Sequence, residues 1–312
     1  MANEVLVLQP HEIEKVKAHY LKYKVERSAP GVVFAAKLVD TAVTVYKSGK
    51  VMFQGNGAAR EASLWGTTSK SVEKVNSGTT KGDTLPPNFT SLSVVGSDET
   101  GTGDYFGPIT VAACFVRADQ IELIKELGVK DSKMLTDEVM RKMAPDLMAT
   151  LTHSVLVLKN EKYNTIQGRG WSQGKIKALM HNQALKHVLS KMAPEKPAHI
   201  LIDQFAERGI YYNHIKAEKE IIRENVLFST KAEQLHVSVA AASIIARYAF
   251  LKEMDRLSEL ANTTIPKGAS AKVDEIAASI YLKHGEAFLK SITKWHFANT
   301  QKAMKLANKR KF

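Results

Sequence analysis

The stretch GSDETGTGDYFGP, Gly96 to Pro108, follows the apolar run Leu92, Val94, Val95 and decides how the rest of the chain is read. The apolar residues read as a strand whose far end carries two adjacent carboxylates, Asp98 and Glu99, and then breaks into Gly101, Gly103 and Gly107. Glycines end a strand and let backbone approach a substrate closely, while the carboxylates place negative charge at that end. Such an end suits a hard metal ion bound through oxygen. Side chains of neighbouring strand residues point to opposite faces, so Asp98 and Glu99 can share one ion only if the strand twists or ends between them. The glycines from Gly101 onward are expected to supply that ending. Their spacing differs from the GxGxxG of dinucleotide-binding turns.

Other carboxylates stand at comparable places. Asp203 ends the apolar strand Ile200-Leu201-Ile202, where on the residues alone it also reads as a turn or helix cap. Glu233 opens a segment to about Leu260 in which Val237, Ala240, Ala241, Ile244, Ile245, Tyr248 and Leu251 keep helical spacing. An acid near a helix N-terminus is ordinary on dipole grounds. Asp131-Ser132-Lys133 precedes a helix start, and Ser132 and Lys133 are candidate phosphate contacts. Lys267-Gly268 and His296 are further candidates to reach a phosphate backbone. His181, His187 and His236 fall in helical segments at no metal-ligand spacing.

Taken in order, DETGTGDYFGP, Asp131-Ser132-Lys133, Ile200-Leu201-Ile202-Asp203 and Lys231-Ala232-Glu233 leading into Ser238–Ala246 resemble the type 2 ribonucleases H, and within them the bacterial branch, ribonuclease HIII. The segment Lys294-Trp295-His296-Phe297-Ala298-Asn299-Thr300 resembles the ending of that branch. The resemblance covers nearly the whole chain. It implies an α/β, ribonuclease H-like mixed sheet flanked by helices, and endonucleolytic hydrolysis of the RNA strand of an RNA/DNA hybrid to 3′-hydroxyl and 5′-phosphate ends. It implies that Asp98, Glu99, Asp203 and Glu233 are catalytic and hold Mg²⁺ or Mn²⁺, two ions in the active complex. Four carboxylates without a His or Cys cluster agree with such metals rather than zinc. By the same resemblance Gly101, Thr102 and Gly103 present backbone to the RNA minor groove, where 2′-hydroxyls mark ribose. Ribonuclease HII has Asp where this chain has Glu233, ten residues before Ser243, and Arg or Lys where it has Thr102. Incision at single ribonucleotides in DNA, the ribonuclease HII activity, is therefore the enzymatic alternative, and a non-catalytic hybrid-binding protein is the other.

Composition agrees with a nucleic-acid partner. The 312 residues carry 44 Lys and Arg against 32 Asp and Glu, a formal charge of +12, which attracts polyanions through counterion release. No apolar run approaches the roughly 18 residues that span a bilayer, and the N-terminus has no signal-peptide pattern, so a cytoplasmic protein with no membrane partner is expected; no protein partner is implied, and a monomer is expected. Cys114, the single cysteine, lies in the apolar strand Ile109 to Val116 and reads as a small buried hydrophobe.

Three regions follow from local pattern. Residues 1–80 hold a helix opening at Pro10 and short strands around Val32–Ala36, Ala42–Tyr46 and Val51–Gln54, the last two joined by a Lys47–Lys50 turn. The hairpin TVYKSGKVMFQGNG resembles one in TATA-box-binding protein, and by family resemblance this small α+β domain binds substrate, with Lys37, Lys47, Lys50, Tyr46 and Phe53 as candidates. NSGTTKGDTLPPN, Asn76 to Asn88, reads as a linker, so 81–90 is expected to connect to a catalytic domain at 91–312. Strands are expected there at Ile109–Val116, Ser154–Leu158, Ile200–Asp203 and near Ile221–Leu227, with a long helix at Lys175–Met192.

Overall fold

A computed structural model describes residues 3–27, 31–66, 82–129 and 135–309. They fall into two compact units. One takes the described residues of 1–80 together with 118–129; the other takes those of 82–117 and 135–309.

The first unit is a four-stranded antiparallel sheet, β1 (Asn3–Val7), β2 (Val32–Lys37), β3 (Thr41–Tyr46) and β4 (Lys50–Gly55), in the order β1-β4-β3-β2. The β3–β4 hairpin turns as expected, with Gly49 at φ +88°. Period-two alternation sends Val43, Val45, Val51 and Phe53 to one face, under Val16 of α1 (Pro10–His19), Tyr20 that caps it, and Ala58 and Ala62 of α2 (Ala58–Ser63). Tyr46 and Met52 take the other face and pack with Leu123 of α3 (Ile121–Glu126). Two expectations change here. Phe53 and Tyr46 are buried core residues on opposite faces, not an aromatic platform, because each finds apolar neighbours inside the unit. Lys50 is ion-paired with Glu126, while Lys37 and Lys47 remain exposed. Strand β1, which local pattern does not single out, pairs along β4.

The second unit is built on a five-stranded mixed sheet in the order β7-β6-β5-β8-β9. Its strands are β5 (Val94–Thr100), β6 (Ile109–Val116), β7 (Thr152–Leu158), β8 (His199–Asp203) and β9 (Val226–Ser229). Strands β5, β6 and β7 are antiparallel; β5, β8 and β9 run parallel. All eight residues of β6 are buried, as a strand covered on both faces requires. The last strand starts after the expected Ile221: Ile221 and Ile222 pack into the core instead, and Asn225 at φ +55° breaks the chain before Val226.

Helices α4 (Asp137–Thr150), α5 (Asn160–Gly168), α6 (Gln173–Met192), α7 (Arg208–His214), α8 (Val237–Ala261), α9 (Ala271–Ile292) and α10 (Ala298–Lys309) complete the unit. Helix α6 covers one face, where Ala178, Leu185 and Val188 meet Val95, Val111 and Ile202. Helix α8 crosses the other face at Gly96, where a Cβ would lie 2.4 Å from the Ser238 and Val239 backbone. Only glycine permits that approach. The run of small residues Ala240 to Ala242 is buried beside it.

The expected 81–90 linker is not free chain where it is described. Gly82 bridges Ser229 on the edge strand β9, the Asp83 N–H donates to Phe228 O at 2.8 Å, and Asp83 pairs with Arg208. Leu85 and Phe89 then pack against Val94 and Val239. The segment 118–129, expected in the catalytic domain, groups with the first unit through Leu123 and Glu126. Among the described residues no helix is long and apolar enough to cross a membrane.

Candidate active site

Strand β5 does not end between Asp98 and Glu99. It runs on through Thr100, so the two carboxylates obey the alternation of the pleat and leave from opposite faces. Glu99 joins Ser97 on the α6 face, where His181 bridges them: its Nε2 lies 2.9 Å from Glu99 Oε2 and its Nδ1 2.9 Å from Ser97 Oγ. One helical turn earlier, the Lys177 ammonium donates to Glu99 Oε1 at 2.8 Å and stacks 4.2 Å from the Phe205 ring centroid. Burial pushes the Glu99 carboxyl up, but His181 and Lys177 outweigh it and hold the group below its ordinary value.

Asp98 turns to the α8 face, where its side chain bonds Ser243 and its Oδ1 accepts from the Glu99 N–H at 2.7 Å. Strands β5 and β8 pair in parallel with Ser97 opposite Ile202, which brings the next position of each, Asp98 and Asp203, side by side. Burial raises the Asp98 carboxyl well above its usual range, and the charges of Glu99 and Asp203 push it further. Asp203 is also raised, by burial and by the charges of Glu233 and Glu99, although its Oδ1 accepts from the Ala232 N–H at 2.9 Å.

Glu233 reaches this neighbourhood from a different element than expected. It sits on a single 3₁₀ turn, Ala232–Gln234, set off by Lys231 at φ +57°, and α8 begins only at Val237. His236, expected inside the helix, is its N-cap, accepting from the Ser238 N–H at 3.1 Å. His187 bonds Ser154 and Gln183. Lys267 pairs with Asp137, which Arg247 also holds at 2.9 Å, and His296 rests beside the Tyr163 ring.

The glycine loop is tightly determined from behind and open in front. Gly101 has φ +94° and a Cβ there would lie 2.3 Å from Pro108 O, whereas a Cβ on Gly103 would meet nothing within 4 Å. The Thr102 carbonyl accepts from Gln173 Nε2 at 2.9 Å. Ser132 and Lys133 lie outside the described residues.

The carboxylates are brought to neighbouring strand ends, but each is engaged by a protein partner, and among the described residues no three Asp, Glu, His or Cys side chains converge closely enough to hold an ion. The donor chemistry still fits a hard divalent cation. Asp98, Glu99, Asp203 and Glu233 offer only carboxylate oxygen, Cys114 is buried elsewhere against Ser238 O, and the crowding that raises Asp98 is relieved by positive charge. Reading the sequence missed Lys177 and His181. Their spacing of four residues puts both on one face of α6, and the Ser97/Glu99 alternation on β5 supplied the matching signal.

Known proteins share both sequence and fold with this chain. A family model described as Ribonuclease HII matches residues 95–300, and one described as a domain of unknown function (DUF3378) matches residues 3–77. The chain is 63% identical over 307 residues to ribonuclease HIII of Lysinibacillus sphaericus, covering 98% of this chain and 100% of that one. It is 50% identical over 314 residues to ribonuclease HIII of Bacillus subtilis, with 100% of both chains covered. Among solved structures, the Mn²⁺ complex of Bst-RNase HIII is similar with a TM-score of 0.71 at 45% identity, covering 99% of this chain and 100% of that one.

Proposed function

The chain belongs to the ribonuclease HIII family, and on that premise we propose that Asp98, Glu99, Asp203 and Glu233 are its catalytic carboxylates and metal ligands. It is a ribonuclease H, hydrolysing the RNA strand of RNA/DNA hybrids, and its cofactor is Mg²⁺ or Mn²⁺. The single observation that carries the site assignment is the crowding of Asp98 with Glu99 and Asp203 at the paired ends of β5 and β8. Like charges gathered at a strand end weaken a fold unless a cation neutralises them.

When bound, two such ions supply Lewis acidity that activates water and stabilises charge on the leaving 3′ oxygen. The protein's part is placement. Asp98 and Asp203 stand side by side on the α8 face, Glu233 approaches on its own turn, and His181 with Lys177 fixes the Glu99 carboxylate. No protein nucleophile is needed, and the products are 3′-hydroxyl and 5′-phosphate ends. Gly101, Thr102 and Gly103 meet the ribose face of the hybrid, where the open space at Gly103 leaves room for a sugar. Ser132 and Lys133 contact phosphate. Residues 1–80 bind substrate through exposed lysines such as Lys37 and Lys47, and the second unit carries the chemistry. The enzyme acts as a monomer in the cytoplasm, and its sequence implies no protein partner.

Cleavage of a labelled hybrid, run in parallel with a duplex holding one ribonucleotide, tests this reading in Mg²⁺ and in Mn²⁺. Thr102 offers a short hydroxyl and no long cation, so hybrids with several consecutive ribonucleotides should be cut efficiently and the single-ribonucleotide duplex poorly. Equal rates on the two in Mg²⁺ would move the substrate preference to the ribonuclease HII type while leaving the four carboxylates in place.

A further inference from the structure

Behind the glycine loop lies a charge that the chemistry above does not use. Lys294, between α9 and α10, is completely buried, and its Nζ donates to Asp104 O and Gly107 O, each at 2.7 Å, with Pro108 O at 3.4 Å. Its own N–H donates to Tyr105 O at 2.8 Å. An interior lysine is costly, and nature usually matches it with a carboxylate. Here its partners are carbonyls of one short loop, and the Asp104 carboxylate is turned away to accept from the Gly268 N–H at 2.6 Å.

Three carbonyls aimed at one point repel each other and go unsolvated unless a multiple donor sits among them. They converge because the loop doubles back: Gly107 takes φ +79°, and a Cβ at Gly101 would strike Pro108 O. Asn160 Nδ2 also donates to Gly107 O at 2.8 Å, and the Gly107 N–H donates to Ile292 O at 3.1 Å. The rear of the loop is thus tied to the C-terminal segment by Lys294 above all, while its front at Gly103 is open.

We propose that Lys294 is a positioning residue for substrate binding, its side-chain nitrogen fixing the loop Gly101–Pro108 so that the backbone of Gly101 to Gly103 stands where the ribose face of the hybrid meets it. The inference rests on the reading of that loop as a substrate contact. Methionine matches the lysine stem to its last methylene but has no donor, so it leaves three carbonyls without their hub and lets the loop open to find solvent.

The test uses the full-length enzyme with Mn²⁺, a labelled RNA/DNA hybrid, and the single variants Lys294→Met, Lys294→Gln and Gly103→Ala. A methyl at Gly103 meets no protein atom within 4 Å, so Gly103→Ala keeps the fold and reports on close approach of substrate. Lys294→Met and Gly103→Ala are each expected to raise KM about tenfold with kcat altered less than about threefold, and Lys294→Gln, which keeps N–H donors, to fall between. Mn²⁺ affinity by calorimetry should be the same in all three, because Lys294 touches no carboxylate of the metal site.

If Gly103→Ala leaves KM unchanged, the loop is no substrate contact, and the inference falls with the reading it rests on. If Gly103→Ala raises KM while both Lys294 variants keep the wild-type value, the loop reading stands and the role given to Lys294 is overturned. A lower melting temperature and lower kcat at unchanged KM mark a merely structural lysine and overturn it equally. Should Lys294→Met fail to fold, Lys294→Gln decides: raised KM supports the proposal, unchanged KM rejects it.

Discussion

The two sheets of this protein treat a carboxylate at a strand end in opposite ways. In the first unit Asp40, just before β3, is gripped by Arg60 Nη2 at 3.0 and 3.1 Å, and that hydrogen bond holds its carboxyl below the ordinary value. Arg60 also reaches Glu61, whose other oxygen accepts from Tyr20 OH at 2.7 Å. In the second unit Asp98 has no cation among the groups that shift it, and burial with two neighbouring carboxylates drives it upward. A charge matched by an opposite one holds a fold together; a charge packed against its like weakens the fold and is kept for what it binds.

The strongest way to break this contrast is to remove one charge from each sheet. Asp98→Asn or Asp203→Asn should lower hybrid cleavage by roughly three orders of magnitude or more while hybrid binding persists, because the amide no longer supplies ligand charge. Asp40→Asn should leave kcat within about twofold and only lower the melting temperature. In the metal-free protein Asp98→Asn should melt at the wild-type temperature or above it, since like-charge crowding is relieved. A large fall in that temperature, or retained cleavage, would place Asp98 with Asp40 as a structural acid.

A smaller effect sharpens the picture within the catalytic sheet. His181→Ala takes away the imidazole that orients Glu99, and loss of such a supporting partner at a metal ligand costs about 10- to 100-fold in activity or metal affinity. Calorimetric Mn²⁺ binding and steady-state rates read both. Wild-type behaviour in the two together would mean that Glu99 needs no orientation from α6.

Much of this site was legible in the sequence because strand ends, glycines and acids sit in consecutive positions. Asp98, Glu99 and Asp203 could be placed from the runs before them, and β6 was bounded at both ends by its apolar residues. What stayed hidden depends on packing between residues distant in sequence. His181 is 82 residues from Glu99, and its helical neighbours say nothing about which strand it will meet. Tyr46 and Phe53 carried the right residue types for a binding face, but only the packing of α1, α2 and α3 shows both filled from within. Glu233 was displaced from helix to turn by one left-handed residue, Lys231, a conformation that lysine does not advertise. Residues 82–89 read as linker because Gly, Asp and Pro are turn formers, yet the same residues can cap the edge of a sheet.

The first unit need not be inert for the contrast to hold, and charge reversal on its exposed lysines asks what else it does. Lys37→Glu with Lys47→Glu, in the full chain, should weaken hybrid binding about tenfold and flatten the slope of log affinity against log salt by about one for each phosphate that is no longer neutralised. Filter binding across a salt series measures both. Unchanged affinity and slope would assign this sheet to folding alone.

Lys294 represents a third treatment of charge, neither matched by an ion pair nor crowded by its like, and it predicts the smallest effect. Burial lowers its amine from 10.5 to about 7, against the opposing pull of Asp104. Between those values the unfolded chain binds a proton that the folded chain does not, so stability rises with pH across the window, and the full cost of burying the ammonium is felt below about 7. Asp104 of the glycine loop, its carboxylate bound to the Gly268 N–H, and His296 of the same segment are coupled to it by charge, and His296, itself lowered by burial and by Lys294, titrates below the window. In melting curves of wild type and Lys294→Met, taken from pH 7 to 9.5 in matched salt, the wild type should therefore gain a few degrees, roughly 3 °C, on the variant as pH rises. Groups that do not feel the charge of Lys294 titrate alike in both proteins and cancel in the difference. A constant difference would mean that the ammonium is held so well by its three carbonyls that burial leaves no proton to release, and Lys294 would then join Asp40 among the fully matched charges.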